Sequence, residues 1–250
     1  IPALEAGKHV LIEKPMAASL EDAEAIVAAA QKARGKCMVA HICRFQAPFY
    51  HAKRLIDAGE LGEIAMIQSW RNNHYSLVKP GRFQNPLRET AIHDIDLALW
   101  YTGSQIAEVS GFKSFHHTPE LADTGCALVR LQNGTICTFA ASWLRRDAQP
   151  SDLDARLKIV GTRGEIEINQ PARNFAQFDD HTFQFVNPEV VHDPVILQQT
   201  GLMAEIAYFC RCVIEDQAPT MVTPEDALRT LRAATQIDAA CRPIHEQLRR

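Results

Sequence analysis

Apolar positions in the first part of the chain follow helical and strand periods in turn. Helical spacing is interrupted by two short apolar runs, at 9–12 and 36–42, which are typical of buried strands. Ser19 and Asp22 form an N-cap pair at the start of the helix between those runs. The predicted order over residues 1–62 is α-β-α-β-α, and such alternation favours parallel strands with right-handed crossovers.

The pattern changes after residue 62. Strands with partial period-two alternation are predicted at 63–70, 106–115, 124–132, 135–145, 154–160, 165–169 and 182–186. Helices are predicted at 89–103, 200–216 and 224–241. Asn133-Gly134 lies between two apolar runs and predicts a tight hairpin, and Gly161 and Gly164 predict another. This region therefore indicates one large, mostly antiparallel sheet with helices.

The two patterns together predict two domains. Residues 1–46 are interpreted as an α/β remnant of a Rossmann domain, the C-terminal part of a dinucleotide-binding fold. Residues 47–250 are interpreted as an α+β domain with a large, mostly antiparallel, open-faced sheet. The first part is too short for a complete dinucleotide-binding fold, which needs about six strands, and G-x-G-x-x-G occurs nowhere in the sequence.

Composition and charge indicate which partners and sites are not expected. The net charge is −4 with no basic block, so no nucleic-acid partner is expected. The apolar runs are far shorter than a membrane span, so no membrane partner is expected. The seven cysteines form no C-x-x-C pair, which favours free thiols in a reducing cytoplasm over disulfides or a metal site. The adjacent His116 and His117 point to opposite faces of a strand and are poor co-ligands for a metal.

Lys14 is the first candidate for chemistry. It follows the strand at 9–12, and ligands of open α/β sheets bind outside the carboxyl ends of the strands. Pro15 restricts Lys14 to extended geometry, and the bond between them can also be cis. Lys14 is interpreted either as an acid–base or substrate-orienting residue or as a surface lysine at a strand-to-loop turn.

The stretch from Glu89 to Asp96 is the second candidate. His93 and Asp96 are three positions apart and share a helical face, with Glu89 one turn earlier. A histidine flanked by carboxylates can accept a hydroxyl proton at neutral pH. The alternative is a helix N-terminus enriched in acidic residues, with His93 capping or packing. Asp94 is expected on the solvated helix surface in either case.

These residues lie in stretches that resemble a known family. "ALEAGKHVLIEKPMAASLEDAEAIV", "HICRFQAPFYHAKRLIDAGELGEI", "ETAIHDIDLALWYTG" and "LKIVGTRGEIEI" occur in the order and approximate spacing of that family. It is the glucose-fructose oxidoreductase, inositol dehydrogenase and rhizopine-catabolism (Gfo/Idh/MocA) family. The resemblance covers essentially the whole chain, and the Glu-Lys-Pro and His-x-x-Asp stretches are specific when they occur together.

The resemblance implies an NAD(P)-dependent dehydrogenase that acts on a polyol, a sugar or a related hydroxy compound. In such enzymes the Glu-Lys-Pro lysine lies near the nicotinamide and the reacting hydroxyl, which makes Lys14 a catalytic candidate. The cofactor, NAD or NADP, is expected to be bound by Lys14 together with Glu13, Pro15, Cys43 and Arg44.

The resemblance also implies roles in the second region. His93 corresponds to the proton acceptor, and Asp96 binds the substrate or orients the site. Glu89 stands where the inositol dehydrogenase branch usually has aspartate, and it is the third catalytic candidate. The nearby ammonium of Lys14 favours the developing alkoxide while the imidazole of His93 takes the proton.

The remaining substrate-binding candidates differ from the inositol dehydrogenase branch. They are Arg44, Trp70, Trp143 and Arg145, the last two with the alternatives of sheet-face packing and a solvated arginine. The differences argue against inositol as the substrate. A pocket that carries arginine suits an acidic or phosphorylated sugar.

The glycine-rich phosphate loop of the family precedes the part represented here, so weak or absent cofactor binding is expected for this polypeptide alone. The alternative interpretation is a catalytically silent, truncated remnant that serves as an oligomerisation or ligand-binding module. The resemblance also implies a homo-oligomer, a dimer or tetramer, formed through the open face of the sheet. A sugar-hydrolysing site has no support, because no carboxylate pair stands apart from helix termini.

Overall fold

The computed structural model describes residues 1–78, 85–145, 153–170, 174–179, 183–186 and 201–244. The helices in these residues are α1 (Pro2–Glu5), α2 (Leu20–Lys32), α3 (Ala47–Asp57), α4 (Pro86–Glu89), α5 (Ile92–Thr102), α6 (Gly201–Ile214) and α7 (Pro224–Ala240). The strands are β1 (Val10–Glu13), β2 (Cys37–Ala40), β3 (Ile64–His74), β4 (Ile106–Ser114), β5 (Thr124–Leu131), β6 (Ile136–Arg145), β7 (Leu153–Gly161), β8 (Gly164–Gln170), β9 (Asn174–Asp179), β10 (Phe183–Val186) and β11 (Cys241–Ile244). Short 3₁₀ turns occur at Ile42–Phe45 and Tyr75–Leu77. None of these helices combines the length and the apolar character that crossing a membrane requires.

The first compact unit contains residues 1–51 and the described part of 188–232. β1 and β2 pair in parallel, which confirms the short α/β start predicted from the alternating pattern. α2 connects the two strands. Its first turn is capped by Ser19, whose Oγ accepts a hydrogen bond from the Asp22 backbone amide at 3.1 Å.

α6 and the first part of α7 also belong to this first unit, which differs from the predicted domain 47–250. The reason is a shared core: Met38 and Val39 of β2 and Phe45 of the following turn are fully buried in one apolar cluster. The same cluster contains Met16 and, from α2, Ala23 and Val27. It also contains, from α6, α7 and the segment between them, Ala204, Phe209, Val222, Ala227, Leu228 and Leu231. Helical periodicity predicts such helices but does not indicate which sheet they cover.

The second compact unit contains the described parts of residues 52–187 and 233–250. Its described strands form one sheet in the order β10-β9-β8-β7-β3-β6-β5-β4-β11. The β3–β6 and β4–β11 pairs are parallel, and the other neighbouring pairs are antiparallel. The prediction of a large, mostly antiparallel sheet is therefore confirmed.

The two faces of this sheet differ in what covers them. α4 and α5 pack on one face, where Ile67, Val129, Phe139, Trp143 and Ile159 are almost completely buried. The opposite face presents exposed large side chains at alternate strand positions, namely Met66, Trp70, Phe112, Leu128 and Ile244. The sheet is thus open on one side within the part of the chain that the structure describes.

The turns that glycine predicted are confirmed. The Asn133-Gly134 turn joins β5 and β6, and Gly134 adopts a φ of +92°, which favours glycine. β7 and β8 form the second hairpin. α5 ends at Gly103, whose left-handed φ of 62° is the expected C-cap geometry.

Several element bounds differ from the predictions. β3 continues through polar residues to His74 instead of ending at residue 70. Its backbone amides and carbonyls are hydrogen-bonded by pairing with β6 and β7. The predicted helix 89–103 is broken at Thr90 and Ala91 into α4 and α5. β9 and β11 were not predicted at all. Residues 182 and 200, the first residues of a predicted strand and a predicted helix, lie outside the described residues.

Candidate active-site residues

Glu13, Lys14 and Pro15 lie at the carboxyl end of β1, as predicted. Glu13 is the last residue of the strand and is exposed, whereas Lys14 and Pro15 are half-buried. The Lys14 backbone amide donates to Glu13 Oε2 at 3.3 Å, and the Lys14–Pro15 peptide bond is cis. Because β1 and β2 run in parallel, this tripeptide lies at the edge where open α/β sheets bind ligands.

The 3₁₀ turn after β2 carries Cys43 and Arg44, and both side chains are buried. Arg44 Nη1 donates to the Met221 carbonyl oxygen at 2.8 Å and to Asp226 Oδ2 at 3.3 Å. Asp226 belongs to the first turn of α7, so Arg44 fixes the start of that helix in the first unit. The structure places the Arg44 guanidinium on these protein groups, and its role in binding the substrate and the cofactor, which the resemblance implied, stays a prediction.

Glu205 on α6 is a buried polar residue that sequence reasoning missed. Its side chain is 1% exposed, and its Oε2 has no hydrogen-bond partner among the described residues. Burial, and secondarily the charge of Glu13, raises the pKa of the Glu205 carboxyl to about 8. Its Glu-x-x-x-Phe spacing on an amphipathic helix gave no signal of burial, because a polar residue there is normally solvated.

In the second unit, α4 and α5 carry the three residues predicted for acid–base chemistry. Glu89 ends α4 and is half-buried, and His93 lies in the first turn of α5 and is half-buried. Asp96 is fully buried one turn further along α5. The helix break at Thr90 and Ala91 separates Glu89 from the helix that carries His93 and Asp96.

Asp94 is not on the solvated helix surface, and the prediction for this residue is wrong. Its side chain is 1% exposed and accepts two hydrogen bonds from Arg71 on β3. Arg71 Nε lies 3.0 Å from Asp94 Oδ2, and Arg71 Nη2 lies 2.8 Å from Asp94 Oδ1. This bidentate ion pair stabilises the contact of α5 with the sheet next to His93, because both charges are satisfied in a buried environment.

Trp143 lies in the core beneath the α4–α5 break. It is 0% exposed, and its indole Nε1 donates to Thr90 Oγ1 at 2.7 Å. Trp143 is therefore a packing residue that supports Thr90, next to Glu89. No part of its side chain faces solvent.

Trp70 lies on the open face of the sheet, which α5 does not cover. Successive residues of a strand point to opposite faces, so Trp70 faces away from Arg71 and from the Asp94 side of the sheet. Its ring is 42% exposed and stacks against Arg156, with 4.7 Å between the ring centroid and the guanidinium carbon. The sequence predicted Trp70 at a strand end, whereas β3 continues to His74; the substrate-binding role of Trp70 stays a prediction.

Arg145 lies at the end of β6, where β3 and β7 also bring polar side chains together. Arg145 Nη1 is 3.9 Å from Asp154 Oδ2, and Asn72 Nδ2 donates to the same oxygen at 3.4 Å. Arg145 keeps partial exposure there, with 15% of its side chain accessible. Asn72 and His74 were missed as candidates, although the polar run "RNNH" after an apolar strand was a usable signal.

The two adjacent histidines belong to a loop held by a buried carboxylate. Asp123 Oδ2 accepts hydrogen bonds from the backbone amides of His116 and His117, at 2.9 and 3.0 Å. The His117 ring nitrogen Nδ1 lies 2.9 Å from the same oxygen. Within the described ranges, no cluster of three histidine, cysteine or acidic side chains is arranged to hold a metal ion.

Two family profiles match the chain. The profile described as "Oxidoreductase family, NAD-binding Rossmann fold" matches residues 1–41, and the profile of the GFO/IDH/MocA C-terminal domain matches residues 49–167. The first match contains the strand end with Lys14. The second contains α4, α5 and the centre of the sheet.

Individual relatives cover most of this chain and part of their own length. The chain is 25% identical to scyllo-inositol 2-dehydrogenase (NAD(+)) of Bacillus subtilis over 91% of this chain and 66% of that protein. It is 32% identical to the 1-carboxy-3-chloro-3,4-dihydroxycyclohexa-1,5-diene dehydrogenase of Comamonas testosteroni over 68% of this chain and 43% of that protein. This chain therefore spans between 43% and 66% of these two relatives.

Solved structures resemble the fold closely. UDP-N-acetylglucosamine 3-dehydrogenase of Acidithiobacillus ferrooxidans superposes with a TM-score of 0.80 at 25% identity, over 96% of this chain and 73% of that one. Aldose-aldose oxidoreductase of Caulobacter crescentus has a TM-score of 0.80 at 23% identity, over 95% of this chain and 71% of that one. The second similarity bears on the fold alone.

The Arg71–Asp94 pair gives a stability prediction. Arg71→Met leaves the Asp94 carboxylate buried without its cation, so we expect the free energy of unfolding to fall by about 3–5 kcal/mol. The double variant Arg71→Met/Asp94→Leu removes both charges and should recover most of this loss. Urea unfolding followed by circular dichroism measures both. A double variant no more stable than Arg71→Met would contradict the proposed cause.

The raised pKa of Glu205 gives a pH prediction. The native protein keeps a proton on Glu205 that the unfolded chain loses above its ordinary pKa of 4.5, so this group makes stability fall as pH rises from about 4.5 to about 8. The slope contributed is about 1.4 kcal/mol per pH unit at most. Glu205→Gln should remove this contribution, and the exposed Glu215→Gln should not. Denaturant unfolding at several pH values tests the difference, and equal slopes in all three proteins would refute it.

Proposed function

Because the chain belongs to the GFO/IDH/MocA family, we propose that its protein is an NAD(P)-dependent oxidoreductase of a polyol, a sugar or a related hydroxy compound. The observation that carries the proposal is the position of Lys14, directly after β1 at the carboxyl edge of a parallel strand pair. That edge lies within the stretch matched by the NAD-binding profile. The names of the relatives, inositol and sugar-nucleotide dehydrogenases among them, support the substrate class.

The residues at this edge suit a polar ligand. Lys14 supplies an ammonium group, Glu13 an exposed carboxylate, and Glu205 a buried carboxyl oxygen that no described protein group satisfies. A nicotinamide dinucleotide, when bound, supplies a ring carbon that accepts a hydride from the alcohol carbon. NAD and NADP both fit this proposal.

The acid–base roles follow from the chemistry of alcohol oxidation. As C–H leaves as hydride, the O–H proton must be removed, and we assign its acceptance to a ring nitrogen of His93. Lys14 Nζ stabilises the negative charge that develops on the substrate oxygen. The buried Asp96 and the half-buried Glu89 are proposed to orient the substrate and His93. The Arg71–Asp94 pair holds α5, and therefore the backbone of His93, against the sheet.

The substrate preference is the finer part of the proposal. Arg145 is the arginine among the predicted substrate residues that keeps partial exposure, since Arg44 is buried against Met221 and Asp226. A guanidinium at the end of β6 favours a carboxylate- or phosphate-bearing sugar over an uncharged polyol.

The open face of the sheet supports a second proposal, that the protein forms a homo-oligomer. Trp70, Phe112 and Leu128 are each more than 40% exposed on one face of the sheet. Charged side chains surround them, including the Glu108–Arg130 and Lys158–Glu165 pairs. An apolar centre with a polar rim is the composition of a protein interface. A non-catalytic module that serves only assembly is the alternative function that this face favours.

Rates test the catalytic proposal. Lys14→Ala and His93→Ala should each lower the rate of NAD(P)H formation by at least about tenfold, because positioned acid–base groups contribute that much or more. The protein expressed from its full reading frame is screened with polyols, aldoses and sugar acids. Lys8→Ala, an exposed lysine before β1, is the matched control. Variants that retain the full rate would refute the assignment, and a folded protein inactive on every substrate would favour the non-catalytic alternative.

Solution mass tests the oligomer proposal. Leu128→Glu places a charge at the apolar centre of the open face, where desolvation would be costly, so we expect it to shift the protein to a monomer. Gln132→Glu, in the exposed turn after β5, adds the same charge away from this centre and should leave the mass unchanged. Analytical ultracentrifugation compares the three proteins. A wild-type monomer, or an unchanged Leu128→Glu oligomer, would contradict the proposal.

A further inference from the structure

Glu205 lies on the face of α6 that covers the segment following β2. Gly201, one helical turn earlier on the same face, is so close to that segment that a Cβ would lie 2.6 Å from Gln46 Cγ and 3.2 Å from Ile42 Cγ1. Because residues four apart share a helical face, Glu205 is directed to the same side of α6. This is the side of the carboxyl ends of β1 and β2.

The carboxyl group of Glu205 is buried and incompletely satisfied. Its neighbour Ala204 packs in the apolar core of the first unit, and Glu205 itself is 1% exposed. Its Oε2 lacks a hydrogen-bond partner among the described residues of the protein. A buried polar atom in this condition costs free energy, which a ligand that supplies the missing hydrogen bond recovers.

The charge of Glu13 opposes ionisation of Glu205. Glu13, the last residue of β1, acts on it electrostatically, and this charge adds to burial in raising the Glu205 pKa to about 8. The segments at the ends of β1 and β2 also carry Lys14, which follows Glu13, and His41, Cys43 and Arg44 around the 3₁₀ turn. Arg44 is directed to Met221 and Asp226. Near neutral pH Glu205 therefore carries a proton that it can donate.

We propose that Glu205 is a cofactor-binding residue, whose carboxyl group donates a hydrogen bond to a polar acceptor of the dinucleotide bound at the carboxyl edge of β1 and β2. This inference rests on the proposed function, since it assigns a further residue to the same cofactor. The neutral carboxyl group serves an anionic ligand well. An ionised one would add a second negative charge next to Glu13 and would repel the ligand phosphates.

The pH dependence of dinucleotide affinity tests the inference. The dissociation constant of NADH, and of NADPH in parallel, is measured by fluorescence on the protein from its full reading frame between about pH 6 and about pH 9.5. For the wild type we expect the dissociation constant to rise by about tenfold per pH unit above the Glu205 pKa of about 8. Glu205→Gln cannot ionise but can still donate, so it should bind with wild-type affinity near pH 6.5 and without this pH dependence.

Two further variants complete the experiment. Glu205→Leu lacks the donor and should bind about tenfold more weakly at every pH below 8. Glu215→Gln, an exposed glutamate just after α6, should keep the wild-type profile. Circular dichroism verifies folding. Displacement of NADH by ADP-ribose, followed by the NADH fluorescence, shows which part of the dinucleotide meets Glu205, because a pH dependence that persists for ADP-ribose assigns the contact to the adenosine-diphosphate-ribose part.

The outcomes separate this inference from the proposed function. A wild type that binds NADH or NADPH, with a pH profile that Glu205→Gln leaves unchanged, contradicts the role of Glu205 alone. A Glu205→Leu variant that binds as tightly as the wild type contradicts it too. A folded wild type that binds neither dinucleotide contradicts the proposed cofactor and, with it, this inference.

Discussion

The pair of hydrogen bonds between Arg71 and Asp94 determines how the helix that carries His93 is held in the second unit. The guanidinium belongs to the central strand β3 and the carboxylate to the first turn of α5, and both are almost completely buried. A fork of two parallel hydrogen bonds fixes direction as well as distance, so α5 has one orientation about its axis. Since neighbouring residues of a helix point about 100° apart, burying Asp94 places His93 at the flank of the helix, where it is half-exposed.

Hydrophobic periodicity predicted most of the fold. The features that it did not predict depend on contacts between residues on different elements. Period-two strands, the Asn133-Gly134 hairpin and the C-cap at Gly103 depend on neighbouring residues and were recognisable from sequence. The burial of Asp94 depends on Arg71, on a different element, and no local pattern reports such a partner. The predicted strand end at Trp70 was wrong for a related reason, because β3 is lengthened by pairing with β6 and β7.

In the candidate site, too, local features were predictable from sequence and contacts between distant elements were not. Lys14 and His93 were recognisable because a strand end and a helix face are local features. Arg44 was recognisable as a charged residue after β2, but its partners are on a segment 177 and 182 positions away in sequence. Glu205 was missed because a single glutamate in an amphipathic helix is normally solvated, and its burial arises only when α6 closes over the end of β2.

The first unit is built from two stretches that residues 52–187 separate in sequence, which affects synthesis of the protein. Met16 and the α2 residues Ala23 and Val27 cover part of the apolar surface around Met38, Val39 and Phe45, but the rest is covered only when α6 and α7 have left the ribosome. At about 5–20 residues per second, this interval lasts roughly ten seconds or more. During that time the sheet of the second unit can begin to form, while the part of this cluster that α6 and α7 later cover remains exposed. The nascent chain is therefore open to chaperones, and to aggregation, at Met38, Val39 and Phe45 until α6 and α7 are made.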